Sequence, residues 1–269
     1  MSSPSPLATP LAWDLVAGGY AAVSFDQFAK YAADALSLAK VVAGERIVDV
    51  AAGPGSLALS AATIAAEVCA LDFSRNMLDQ LRARMAAANI SNIDVREGDG
   101  QALPYPDACF DAAFSMFGLI FFPDRARGFA ELSRVLRPGG RAVVSSWHPM
   151  TRVPVLVDVF AALAAELPEL PFGDGKGPLT DADDLRREMS AAGFEVQIEE
   201  RTHALEAESI GALWAGMRRS LAPLVLLEQR MGHAAFAPVA AGIEQRLSER
   251  YRGALRVEMP AWLALGTKP

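Results

Sequence analysis

Short apolar runs alternate along most of this chain with longer stretches whose apolar positions recur every three or four residues. Arg46-Ile-Val-Asp-Val50, Glu67-Val-Cys-Ala-Leu71, Ile93-Asp-Val-Arg-Glu97, Cys109-Phe-Asp-Ala-Ala-Phe-Ser115 and Arg141–Trp147 read as strands. Between them the period predicts helices over Gly55–Ala66, over a segment capped by Ser74 that buries Met77, Leu78, Leu81 and Met85, and over Asp124–Arg137. The last would bury Phe129, Leu132 and Leu136 and stop at Pro138-Gly-Gly140. Upstream, Phe25, Phe28, Ala32, Leu36 and Ala39 share one helical face. Downstream, Thr180-Asp-Ala-Asp183 resembles a capping box opening a helix that ends at Gly193, and Phe194–Glu199 and Pro260–Gly266 supply two closing strands. Such alternation predicts an α/β fold with a mostly parallel, doubly wound sheet and a ligand at the carboxyl edge of its strands.

The first strand runs into Ala51-Ala-Gly-Pro-Gly55 and then directly into a helix. That junction aims backbone N–H groups and a positive helix end at one crevice, and glycine there permits close approach of a ligand. Asp72, at the next strand end, stands where ribose hydroxyls are held in folds of this kind. The run Gly53-Pro-Gly-Ser-Leu-Ala58 fits the dinucleotide fingerprint, which keeps a nicotinamide-dependent oxidoreductase as a competing reading. Against it stand Asp49 within the strand and a third acidic turn, Gly98-Asp-Gly-Gln101. Carboxylates at three successive strand tips suit a ligand bearing an ammonium, a diol and an exocyclic amine. They repel a pyrophosphate.

The chain resembles the class I S-adenosylmethionine-dependent methyltransferases, in the branch that includes ubiquinone/menaquinone-type and natural-product enzymes. The likeness is carried by Val48-Asp-Val-Ala-Ala-Gly-Pro-Gly55, Leu71-Asp-Phe-Ser-Arg-Asn-Met77, Glu97-Gly-Asp-Gly-Gln-Ala-Leu-Pro104, Phe110–Gly118 and Glu131–Gly140, in that order. It implies a Rossmann-like, seven-stranded sheet with one antiparallel strand and a helical cap, and S-adenosyl-L-methionine as cofactor. Residue by residue, it implies that Asp49, Ala51, Gly53 and Gly55 surround the methionine moiety and that Asp72 accepts from the ribose. Met77 would pack on one adenine face, with Phe73 a further cofactor-binding residue; Asp99 would take the adenine amino group, the Gly100 and Gln101 backbone would read the ring edge, and the Ser115 backbone carbonyl would hold the amino-acid end. Ala51 replaces the family's usual first glycine, and we expect it to adopt an ordinary φ.

Composition narrows the partners. With a formal net charge of −7 and no basic face, the chain is not expected to bind nucleic acid. Two cysteines in predicted strands read as small hydrophobes, and no Cys/His cluster has metal-ligand spacing. The opening segment lacks a basic, apolar leader and no uncharged apolar run is long enough to span a bilayer, so a cytoplasmic protein without a membrane partner, monomeric or homodimeric, is expected. We expect a flexible tail over 1–12, a helical lid over 13–43, the cofactor-binding core over 44–201 and 257–269, and a cap over 202–256.

Substrate identity should reside in the segment from Trp147 to Lys176 and in the cap. Tyr20, Phe117, Trp147, His148, Trp214 and Met217 are the expected pocket residues, which with Phe121 and Phe122 suit a hydrophobic or aromatic small molecule. His148, after the fifth strand, is the candidate base, with Tyr20 as a lid residue near the chemistry. After the fourth strand stands Ser115-Met-Phe-Gly118 rather than an Asn/Asp-Pro-Pro-Tyr/Phe run, which disfavours planar amino groups of nucleobases or glutamine as acceptors. The expected reaction is methyl transfer to an O, C or N atom. A non-catalytic cofactor-binding protein is the remaining competing class.

Overall fold

The computed structural model describes residues 5–170 and 177–269. One seven-stranded sheet organises it, in the order β3-β2-β1-β4-β5-β7-β6. Strands β1 (Arg46–Val50), β2 (Glu67–Asp72), β3 (Ile93–Glu97), β4 (Phe110–Met116) and β5 (Leu136–Trp147) are parallel, and β7 (Leu255–Thr267) lies antiparallel between β5 and β6 (Glu195–Ala207). The chain reverses its order on either side of β1 and β4, which opens a crevice at their carboxyl ends.

Side-chain alternation along β1 explains the layers. Ile47 faces a core shared with α2 (Phe25–Leu38), α3 (Ser56–Ala61) and α4 (Arg75–Ala88), where Tyr31, Leu57, Leu78 and Leu81 are buried. Val48 and Val50 face the opposite core, built with α5 (Arg125–Val135) and α7 (Ala182–Ala191) around Phe129, Leu132, Leu185 and Met189. A third apolar cluster lies outside the sheet. It joins α6 (Pro154–Glu166), α8 (Ile210–Ser220), α9 (Ala222–Met231) and α10 (His233–Arg250) through Val159, Trp214, Phe236 and Ile243.

Several expected boundaries move. The helix after the glycine turn is only Ser56–Ala61, because the chain turns through Ala62–Ile64 to start β2. Leu136 belongs to β5, not to the preceding helix, so Pro138-Gly-Gly140 lies within a strand irregularity beside Phe110 and Ala112. Asp181, not Thr180, caps α7, its carboxylate accepting from the Asp183 N–H at 2.8 Å. The closing strands extend to Ala207 and back from Leu255, forming a long hairpin that carries the cap.

The opening residues also differ from expectation. Residues 1–4 of the expected tail lie outside the described residues, as do 171–176 of the segment ending at Lys176. From Pro6 onward the chain is helical: a 3-10 turn at Pro6–Ala8 precedes α1 (Pro10–Val23), and Ala12 is buried. Leu7 accepts the Trp13 indole N–H at 2.9 Å. Proline at the first helical position supplies a fixed φ where no N–H partner is required. No single helix among the described residues is long and apolar enough to cross a membrane.

Candidate functional site

The strand ends meet in a cavity of about 1450 Å³. Its floor is acidic. Asp49 and Asp72 are both almost wholly buried, and each carboxylate is held by the backbone around the glycine turn. Asp49 accepts from the Ala58 N–H at 3.1 Å. Asp72 accepts from Gly53 N–H and Ser74 N–H, each at 2.8 Å. Burial, aided by the neighbouring Asp72 charge, pushes Asp49 up to about 7. Burial likewise pushes Asp72 up to about 6, against the pull of its backbone donors. These carboxylates are stabilised in the ionised form when a cation arrives.

The turn itself is shaped for a guest. Gly53 has φ +55, and a Cβ built on it would meet no atom within 4 Å while the residue lines the cavity. Gly55 has φ +90, but a Cβ there would strike Leu81, so its smallness serves packing of α4 and not the cavity wall. Ala51 contradicts the expectation of an ordinary φ: it sits at +59, in the left-handed region. Its methyl lies so near Gly118 that a Cβ on that glycine would collide with it.

Most of the other residues expected to hold the cofactor line the same cavity. Phe73, Met77, Asp99, Gly100 and Gln101 all line it. Asp99 accepts from the Gln101 amide N–H at 2.8 Å, and the Gln101 side chain ties this turn to the start of α5 by accepting from Asp124 N–H at 2.9 Å. Ser115 does not reach the cavity. Its hydroxyl is buried without a partner among the described residues, and Met116 lines the wall in its place.

On the acceptor side, Tyr20, Phe117, Trp147, His148 and Met217 line the cavity. Trp214 does not; it is buried in the cap core, its indole donating to the Ala240 carbonyl at 3.1 Å. Further apolar residues that periodicity alone assigned to packing or left unassigned also contribute, among them Phe28, Phe160, Leu205, Leu224 and Met259. An apolar position reads the same in sequence whether it fills a core or walls a void.

His148 lines the cavity among polar and aromatic neighbours. Its ring stacks on Trp262 at 3.9 Å, and Arg152 Nη1 lies 3.3 Å from Nδ1. A guanidinium only donates, so Nδ1 accepts and Nε2 carries the proton, 3.3 Å from Glu200 Oε2 but without a well-aligned hydrogen bond. Burial also lowers its proton affinity. In that tautomer the Nδ1 lone pair faces Arg152. Burial and then Asp72 drive the Tyr20 hydroxyl above the ordinary tyrosine range.

Helix α1 is tied to the start of α4 beside this site. The Asp14 carboxylate on α1 accepts from the Ser74 hydroxyl at 2.6 Å and from Asn76 N–H at 3.1 Å, at the start of α4. Asn76 returns a bond to the Asp14 carbonyl at 3.1 Å. Nothing in the sequence pattern marked Asp14, because its partners lie sixty residues away.

Residues 47–140 match a family described as a methyltransferase domain. A demethylmenaquinone methyltransferase of Thermus thermophilus is 34% identical over 205 residues, covering 70% of this chain and 92% of that protein. The chain belongs to the class I S-adenosylmethionine-dependent methyltransferases. The corresponding enzyme of Deinococcus radiodurans is 33% identical over 193 residues, 65% of this chain and 76% of the relative. Uncharacterised proteins of Mycobacterium tuberculosis are 36% identical over 132 residues, and that match spans about half the length of those relatives, 48%. Among solved structures, the YcgJ protein of Bacillus subtilis has a TM-score of 0.60 at 18% identity, covering 88% of this chain and 97% of its own. The cyclase SpnF has a TM-score of 0.62 at 20% identity, covering 100% and 99%. These two show the fold alone. S-adenosylmethionine is the cofactor of the family, and the residues present fit it: an open glycine bend beside two buried carboxylates suits a cationic, diol-bearing ligand. With the family shown, the nicotinamide reading of Gly53–Ala58 falls.

Proposed function

We propose that the protein transfers the methyl group of S-adenosylmethionine to an O, C or N atom of a hydrophobic, aromatic small molecule. One observation carries this reading: the acidic glycine bend and a large apolar lobe are parts of a single cavity. When bound, the cofactor supplies an activated methyl group on a sulfonium. Asp49, Ala51 and Gly53 would hold its amino-acid end, Asp72 its ribose, and Phe73, Met77, Asp99, Gly100 and Gln101 its adenine. The apolar lobe between Phe28, Phe117, Trp147, Met217 and Met259 would receive the acceptor. The demethylmenaquinone methyltransferase relatives support an acceptor with a planar ring.

Catalysis then rests on placement and on exclusion of water. A partner other than nucleic acid suits the formal net charge of −7. Calorimetric titration with S-adenosylhomocysteine and with NAD(P), followed by mass spectrometry of a panel of phenols, quinones, keto acids and amines, tests the reading. S-adenosylhomocysteine binding with a gain of one methyl on an aromatic member is expected. Tight NAD(P) binding with no response to S-adenosylhomocysteine would overturn it. Cofactor binding with no transfer to any member would leave a binding protein.

A further inference from the structure

An aromatic wall runs along the acceptor side of the cavity. Phe117 and Trp147 stack with centroids 4.0 Å apart and planes 20° from parallel. Phe28 stands edge-on to both, at 5.1 and 5.8 Å. Tyr31 meets the Trp147 indole at 5.6 Å, nearly perpendicular, and is itself fully buried. Phe117 holds a φ of +59, and its N–H donates to the buried Ser145 hydroxyl at 2.9 Å. The wall is therefore fixed by the β4 and β5 ends and by α2, rather than by mobile side chains.

The indole N–H groups distinguish Trp147 from its counterparts. Trp13, Trp214 and Trp262 each donate to a backbone carbonyl, those of Leu7, Ala240 and Thr180. The Trp147 indole is half-buried and lines the cavity, yet its N–H has no acceptor among the described residues. Several other polar side chains on the same lining spend donors within the protein, whereas the Tyr20 hydroxyl and His148 Nε2 do not. Gln27 donates to the His203 carbonyl, Thr180 to that of Gly177 and Ser220 to that of Gly216. A half-buried indole N–H ordinarily finds a partner, and Trp147 lines a cavity whose guest can supply one.

We propose that Trp147 is a specificity-determining residue of the acceptor lobe, donating its indole N–H to a carbonyl or phenolate oxygen on a planar acceptor stacked along Phe28 and Phe117. This rests on the methyltransferase reading and deepens it, because it names the group on the acceptor that the protein recognises. A neutral donor suits an oxygen that carries lone pairs or negative charge, and it removes no proton. The acceptor would arrive already nucleophilic.

The test compares 1-tetralone with tetralin, bicyclic ligands that differ by one carbonyl oxygen, on protein saturated with S-adenosylhomocysteine. Wild type should bind the ketone about five- to tenfold more tightly, the scale of one neutral hydrogen bond. Trp147→Phe keeps the aromatic wall but deletes the donor; it should erase that preference while leaving S-adenosylhomocysteine affinity unchanged. Phe28→Leu should weaken both ligands alike and preserve their ratio. A preference that survives in Trp147→Phe overturns the proposal. So does a wild type that does not favour the ketone, including one that binds neither ligand. Loss of S-adenosylhomocysteine binding in the wild type would instead remove the methyltransferase reading on which the proposal stands.

Discussion

Ala51 holds a left-handed φ of +59 in the turn that follows β1. A Cβ in that region costs about 1–2 kcal/mol, partly offset by the smaller entropy that alanine loses on folding. Replacing Ala51 by Gly should therefore stabilise the protein by about 1 kcal/mol, read as a rise in urea midpoint without a change in slope. No change would mean that the surrounding loops impose no strain there. At the same turn, Asp49 and Asp72 ionise late, near 7 and near 6. Carboxyls raised in the folded state contribute stability below their ordinary range and lose it as pH rises to the folded values, so their share in the free protein declines from about pH 4 to about pH 7. A cationic cofactor favours the ionised pair. Its affinity should rise with pH through the window from 6 to 7, by at most about tenfold per pH unit for each proton released. Calorimetry in buffers of different ionisation enthalpy would register the proton release, and a flat affinity across that window would exclude it. The acidic tips themselves were legible in the chain; the wrong expectation for Ala51 arose because φ is set by where β1 must turn, which residue identity does not state.

At the scale of elements, α1 is pinned to the start of α4 by Asp14, while Ala12, Val16 and Ala17 pack against Met77 and Ala222. It thus covers the start of α4 and reaches the cap. Asp14→Ala removes acceptors for Ser74 and Asn76, and with them a negative charge that helps to raise Asp72. Release of S-adenosylhomocysteine should quicken by about tenfold, as expected for a charge-assisted hydrogen bond, with the thermal midpoint little altered. Stopped-flow displacement would measure it; an unchanged off-rate would make the bond irrelevant to lid opening. Helix periods and Ser74 as a cap were readable because both are local. The shortened α3 and the strand through Pro138–Gly140 were not, since β-pairing with distant residues overrides a local stop signal.

Across the whole molecule, the cap has its own apolar cluster, separate from the two that sandwich the sheet. Trp214 is buried there with its N–H satisfied by Ala240. Trp214→Ala should cost about 3–5 kcal/mol in unfolding free energy, the range for truncating a buried aromatic side chain, while S-adenosylhomocysteine affinity falls by less than about twofold in the folded protein. A large loss of cofactor affinity would mean that cap and cofactor crevice are coupled more tightly than their separate clusters imply.

The chain alone determined the strand–helix alternation, the glycine bend and the carboxylates at three successive tips, because each depends on neighbours in sequence and on the pairing that alternation dictates. Only the tertiary structure decided which apolar residues wall the cavity and which fill the cap. It alone placed His148 between Arg152, Glu200 and Trp262 and brought Asp14 to Ser74. Those outcomes depend on residues far apart along the chain, and a hydrophobic period records that a side chain leaves water without recording what it meets.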